Sequence, residues 1–128
     1  MSASARAGVF VYAKALDRVT DFYASVLGLR AVHRTDQMVV LRSADLELLV
    51  HAIPPAIAAS IAITTPPQLR DDAAIKFFAT VASLDECAAA ARAHGGDLFG
   101  EAWAGPGFVV RNAFDPEGNI FQVRQPVP

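Results

Sequence analysis

Only one cysteine, Cys87, occurs among the 128 residues, so no internal disulfide can form. That shortage excludes a cross-linked secreted scaffold and makes a reducing, cytoplasmic setting the expectation, with Cys87 a small core residue on a helix. Charge is scarce as well: 19% of residues are Asp, Glu, Lys or Arg, and the formal net charge is -2. Basic residues are scattered and no block of five or more like charges occurs, so neither nucleic acid nor a membrane surface is expected as a partner. The most apolar stretch, Ala56 to Ile63, is too short to cross a bilayer. The opening residues MSASARAG lack the charged start and apolar core of a secretion signal. What the chain does have is a 53% hydrophobic share, above the ordinary range. A single domain of this length can build one core from it, and the surplus points to a homodimer that covers apolar surface.

Periodicity divides the chain into short elements. Val9 to Ala13 is β-branched and aromatic and predicts a strand. In LDRVTDFYASVLGL, residues Val19, Phe22, Tyr23, Val26 and Leu27 recur at helical spacing, and Gly28 supplies the stop. The start of this helix is poorly capped, because Lys14 and Ala15 offer no side-chain acceptor suited to the first turn. Arg30 to Arg34, Met38 to Leu41 and Leu46 to His51 predict three further strands. Between Ala52 and Asp72 the pairs Pro54-Pro55 and Pro66-Pro67 exclude a continuous helix or a central strand and mark a connection.

The second half repeats the first. Ile75 to Val81 predicts a strand; Ser83 and Glu86 form a capping box; Leu84, Cys87, Ala88 and Ala91 share one helix face; Gly95-Gly96 ends it. Strands at Phe108 to Phe114 and Asn119 to Arg124 flank Asp115-Pro116-Glu117-Gly118, whose residues suit a type I turn. Overlaying the halves pairs Gly28 with Gly96 and residues 8–13 with residues 76–81. Two modules, about 8–51 and 74–125 around a connection at 52–73, account for nearly all of one domain spanning 1–128.

Three segments in this order, LDRVTDFYASVLGLR, DECAAAARAHGGD and FDPEGNIFQV, resemble the glyoxalase / bleomycin-resistance / extradiol-dioxygenase superfamily, the vicinal oxygen chelate fold. The resemblance implies an α+β domain: two tandem βαβββ modules forming a cup-shaped mixed sheet, with helices on the outer face. It also implies that many relatives share the cup between chains of a dimer. Metal-dependent members hold a divalent ion through His and Glu on four strands, leaving open positions for substrate oxygens. Carried over position by position, those ligands fall on Gly8, on Leu49 (or Glu47 in an alternative register), on Lys76 and on Gln122. None of the four best-aligned positions keeps a ligand, so no metal cofactor is expected in the usual place. The histidines His33, His51 and His94 read as surface, strand-end and helix-end residues, with His51 alone near the cup mouth.

If the ligand positions mark the cup's inner side, a period of two sends Phe10, Tyr12, Lys76, Phe78, Gln122 and Leu49 or Glu47 into it. Aromatic walls with a few polar anchors describe a small-molecule pocket. Lys76 then pairs with Glu47, reaches solvent, anchors an anionic ligand or serves as a catalytic amine. Trp103 and Arg111 bracket Ala104-Gly105-Pro106-Gly107 at the cup's edge, Trp103 as lid, dimer contact or sheet packing. Two functions are open. One is metal-free binding or sequestration of a small organic molecule, as in bleomycin-resistance members. The other is a lyase or dioxygenase with a relocated metal, or one using Lys76 or Tyr12 as acid–base.

Overall fold

Alternation along the first strand decides which way module one faces. In β1 (Val9–Ala13), Val11 and Ala13 are buried while Phe10 and Tyr12 stay exposed. The computed structural model describes residues 5–128. The first four residues of the MSASARAG segment lie outside the described residues. After β1 come α1 (Leu16–Leu27), β2 (Arg30–Arg34), β3 (Met38–Arg42) and β4 (Glu47–Ala52). A single-turn α2 (Pro55–Ala58) opens on the first proline pair. Module two follows as β5 (Phe78–Thr80), α3 (Leu84–Ala93), β6 (Asp97–Gly105), β7 (Phe108–Phe114) and β8 (Ile120–Pro126).

The two sheets have the same wiring. Their orders are β1-β4-β3-β2 and β5-β8-β7-β6, with the first pair of each parallel and the rest antiparallel. This is the α+β arrangement of two βαβββ modules that the sequence led us to expect. Register makes the repeat concrete: Phe10 pairs with Leu49, and Phe78 pairs with Gln122. Leu49, rather than Glu47, is therefore the structural equivalent of Gln122.

Two local expectations shift. No residue pattern marked β6, because two glycines, two alanines and two acidic residues break up the apolar Leu98, Phe99 and Trp103 of DLFGEAWAG, and its pairing with β7 slips between Leu98 and Ala102. The strand expected over Ile75 to Val81 contracts to Phe78–Thr80. The helix stops also divide their work differently. Gly28 takes the left-handed conformation after α1, but in module two that role falls to Gly95, with φ 90°. Gly96 answers to space instead, since a Cβ there would lie 2.1 Å from the Phe114 carbonyl oxygen and 2.5 Å from the Phe22 ring.

One buried cluster runs through both modules. Phe22 and Tyr23 of α1 reach across to Phe121 of β8, with ring centroids 6.0 and 5.4 Å away. Phe77 stacks on Phe121 at 5.2 Å and lies 6.1 Å from Tyr23. The Asp115-to-Asn119 turn fastens this junction. The turn closes through Gly118 N donating to Asp115 O at 3.0 Å. The fully buried Asp115 carboxylate accepts from Tyr23 Oη at 2.7 Å, from Asn119 Nδ2 and from the backbone N–H groups of Glu117 and Asn119. Burial pushes the Asp115 carboxyl up, against the lowering effect of those bonds.

Glu117 repairs the missing cap of α1. Its two carboxylate oxygens accept from Lys14 N at 2.8 Å and Ala15 N at 2.7 Å, and Ala15 has no side-chain cap of its own. A buried carboxylate on the two amides that lead into a helix supplies hydrogen bonds there and places a favourable charge at the helix's positive end. The connection then docks on the turn, Arg70 N donating to Gly118 O at 2.9 Å. By contrast α3 caps itself, Ser83 Oγ accepting from Glu86 N at 3.1 Å.

Glu117→Ala is expected to lower stability in urea unfolding by about 1–3 kcal/mol, since the two backbone amides that lead into α1, those of Lys14 and Ala15, lose a charged acceptor. A loss below a few tenths of a kcal/mol would remove the capping role. Burial first, then the Asp115 charge, raise the Tyr23 phenol well above 10.0. Above pH 10 the unfolded chain therefore releases a proton that the folded chain retains, and stability falls by up to about 1.4 kcal/mol per pH unit. Urea midpoints between pH 9 and 11 should show this slope in the native chain and a shallower one in Tyr23→Phe.

Candidate ligand-binding site

Each sheet has one face under helices and one face left open, and the strands' period of two assigns every candidate residue to one or the other. On module one, the open face carries Phe10 and Tyr12 from β1 beside Leu49 and His51 from β4, paired directly in the register. The Phe10 and Tyr12 rings stack at 6.1 Å, and the His51 ring lies 5.6 Å from Tyr12. His51 Nδ1 lies 2.8 Å from the Ala52 carbonyl, which can only accept, so this nitrogen is the donor. Glu47 is engaged by Arg42, whose Nε and Nη2 both donate to Oε1. A cavity of about 450 Å³ opens beside Phe10 and Tyr12, closed from module two by Ile75, Phe77 and Ile120.

On module two the open face carries Phe78, Gln122 and Asn112, linked by register across three strands. Lys76 is exposed, and its Nζ donates to Asn112 Oδ1 at 3.3 Å. The Lys76–Glu47 ion pair weighed from the sequence is not formed, because Arg42 holds Glu47. Trp103 lies on β6 opposite Val110, within the hairpin whose turn is Pro106-Gly107. Arg111 is corrected outright. It pairs with the buried Val123 and so points to the helix side, where its Nε donates to the Phe99 carbonyl at 2.8 Å. Its neighbour Asn112 occupies the open face in its stead, as alternation requires.

Phe10, Tyr12, Phe78 and Trp103 are 60, 55, 52 and 41% exposed. Aromatic rings this open, on the same sheet faces as the four family ligand positions, are the chemistry that the faces have to give. The sequence reading missed two members: Phe108 and Arg124. Arg124 sits two residues beyond Gln122 on β8, so the same alternation that selected Gln122 selects it too.

The donor set does not fit a metal ion. The four positions hold Gly8, Leu49, Lys76 and Gln122, and among the described residues no three His, Cys, Asp or Glu side chains stand together. At position 8 the backbone itself leaves no room: a Cβ would lie 2.8 Å from Glu47 O. His33 is exposed on β2 and His94 ends α3, so neither joins His51.

The sequence matches the family described as glyoxalase-like domain over residues 8–124. The chain belongs to this family. Its fold is shared with a glyoxalase/bleomycin resistance protein/dioxygenase family enzyme from Burkholderia phytofirmans PsJN. That match has TM-score 0.68 and 15% identity, and covers 97% of this chain and 100% of the other. A glyoxalase/bleomycin resistance protein from Albidiferax ferrireducens T118 matches with TM-score 0.66 and 19% identity, over 94% of this chain and 97% of that one. The fosfomycin resistance protein FosX from Listeria monocytogenes matches with TM-score 0.68 and 15% identity, over 98 and 96%. At such identities the likeness establishes fold alone. No curated protein sequence matches significantly. Among the described residues, no helix is long and apolar enough to cross a membrane.

In this glyoxalase-like domain Cys87 lies on the helix side, buried in α3 among core residues. Burial pushes its thiol up to about 11, while the positive charge of Arg111 pulls the other way. At pH 8 only about one such thiol in a thousand is ionised. Labelling with Ellman's reagent at pH 8 should therefore be slow in the folded chain and fast in denaturant. Equal rates in both states would contradict the buried placement.

Proposed function

We propose that this protein binds a small, flat or apolar organic molecule on its open aromatic faces without a metal centre. The observation that carries the reading is the pairing of four half-exposed rings with ligand-free residues at 8, 49, 76 and 122. Apolar rings left exposed on an open sheet face mark a binding surface more often than idle surface. Solved structures of similar fold are described as bleomycin or fosfomycin resistance proteins, names that refer to small organic molecules, and the sequestration reading takes that chemistry as its starting point.

A second copy of the chain completes the cup in this proposal. Within one chain the cavity beside Phe10 and Tyr12 is lined by Ile75, Phe77 and Ile120, not by Phe78, Gln122 or Trp103. The two aromatic sets therefore stay open separately, and a partner subunit placing its second module over the first module would cover both. The enzymatic alternative, a lyase or dioxygenase using Tyr12 or Lys76 as acid–base, has less support. Lys76 is in solvent on Asn112, and no carboxylate converges on either residue.

Protein purified without chelators should carry no stoichiometric Zn, Ni, Mn or Fe by elemental analysis, and light scattering should give twice the mass of one chain. A thermal-shift screen of aromatic compounds should find stabilisers whose effect drops in Phe10→Ala and Phe78→Ala, variants that leave the unliganded midpoint nearly unchanged. A bound metal at one per chain, or no stabiliser in the screen, sinks the reading.

A further inference from the structure

On the open face of module two, Arg124 carries a buried side-chain donor, Nε, that has no hydrogen-bond partner. It stands on β8 between Thr80 of β5 and Val110 of β7. Rings from both neighbouring strands close on its guanidinium. The Cζ atom lies 3.7 Å from the Phe78 ring centroid and 4.5 Å from that of Phe108. Phe108 reaches this position because residue 105 is glycine. A Cβ at Gly105 would fall 2.4 Å from the Phe108 ring. Backbone, glycine and two aromatics thus hold one planar cation in a fixed orientation.

Among the described residues no carboxylate forms an ion pair with it. The three ion pairs among the described residues use Arg34, Arg42 and Arg92. Arg124 Nε is buried and has no hydrogen-bond partner. Buried donors nearly always find an acceptor, and guanidinium is the side chain best shaped for side-on pairing with a carboxylate. Stacking between rings holds the charge without consuming its in-plane N–H groups. The flanking Phe78 ring is itself half exposed, so the same residue that pins the guanidinium also offers a surface to the body of a ligand.

We infer that Arg124, clamped by Phe78 and Phe108, is the anion anchor of the ligand site, and that the ligand class is a flat aromatic carboxylate. The inference rests on the proposed small-molecule binding and specifies its chemistry. The carboxylate accepts from the guanidinium fork while the ring system lies against Phe78 and Trp103. Lys76, on the Asn112 side of Gln122, adds positive potential to the same face but has its own partner.

Isothermal titration with 1-naphthoate and 1-naphthamide, which differ only in the anionic group, separates the two levels of the proposal. The native chain should bind the carboxylate about tenfold or more tighter than the amide. Arg124→Gln should abolish that preference while retaining amide binding, which also reports that the variant is folded; Lys76→Gln should keep most of the preference. Equal affinity of the native chain for both probes overturns the anchor and leaves small-molecule binding standing. So does a preference that survives Arg124→Gln or disappears only in Lys76→Gln. Binding of neither probe overturns the anchor and the proposed function together.

Discussion

Two buried carboxylates in one turn hold this protein's halves in register. Asp115 takes four hydrogen bonds, one of them from Tyr23 of the other module, and Glu117 caps the helix that carries Tyr23. Burying a carboxylate is costly, and it is tolerated only where donors surround it. Here the donors are the two amides leading into α1, a phenol, the Asn119 side-chain amide and two turn amides, so each side satisfies the other. With α1 fixed in this way, Phe22 and Tyr23 enter the second module's core and the helix sides of both sheets become one interior.

That choice of interior leaves the opposite sheet faces open. A βαβββ module has one helix, so it can cover one face only. The residues on the free face must then be polar, be covered by a partner, or meet a ligand. In this chain they are Phe10, Tyr12, Phe78 and Trp103, with Arg124 set between two rings. Positions 8, 49, 76 and 122, where the family resemblance would put metal donors, hold glycine, leucine, lysine and glutamine, so the faces can offer stacking, apolar contact and a fixed positive charge. These are properties of a binding surface for flat molecules, and they connect the aromatic composition of the strands to the proposed function.

Much of this was legible before any coordinates. Helical spacing from Val19 to Leu27, the β-branched strand Val9–Ala13 and the two-fold repeat were enough to expect the modules. Strand register then agreed with the overlay of Leu49 on Gln122. The illegible parts have physical reasons. Glu117 caps α1 from 102 residues away along the chain, and no local pattern near Lys14 or Ala15 could announce it. The alanine and glycine content of β6 hides a strand whose pairing is fixed by its hairpin with β7. Arg111 brackets the glycine-rich segment together with Trp103, yet its pairing with the buried Val123 turns it to the helix side. Parity counted outward from Gln122 would have rejected Arg111 and found Arg124.

The single tryptophan of the chain, Trp103, stands on the open face of module two and so reports directly on its occupancy. Titrating 1-naphthoate against Trp103 fluorescence, with and without EDTA, tests metal-independent binding at that face in one measurement. The account expects saturable quenching with the same midpoint in both titrations. Quenching that vanishes with EDTA and returns on adding a divalent metal would contradict it.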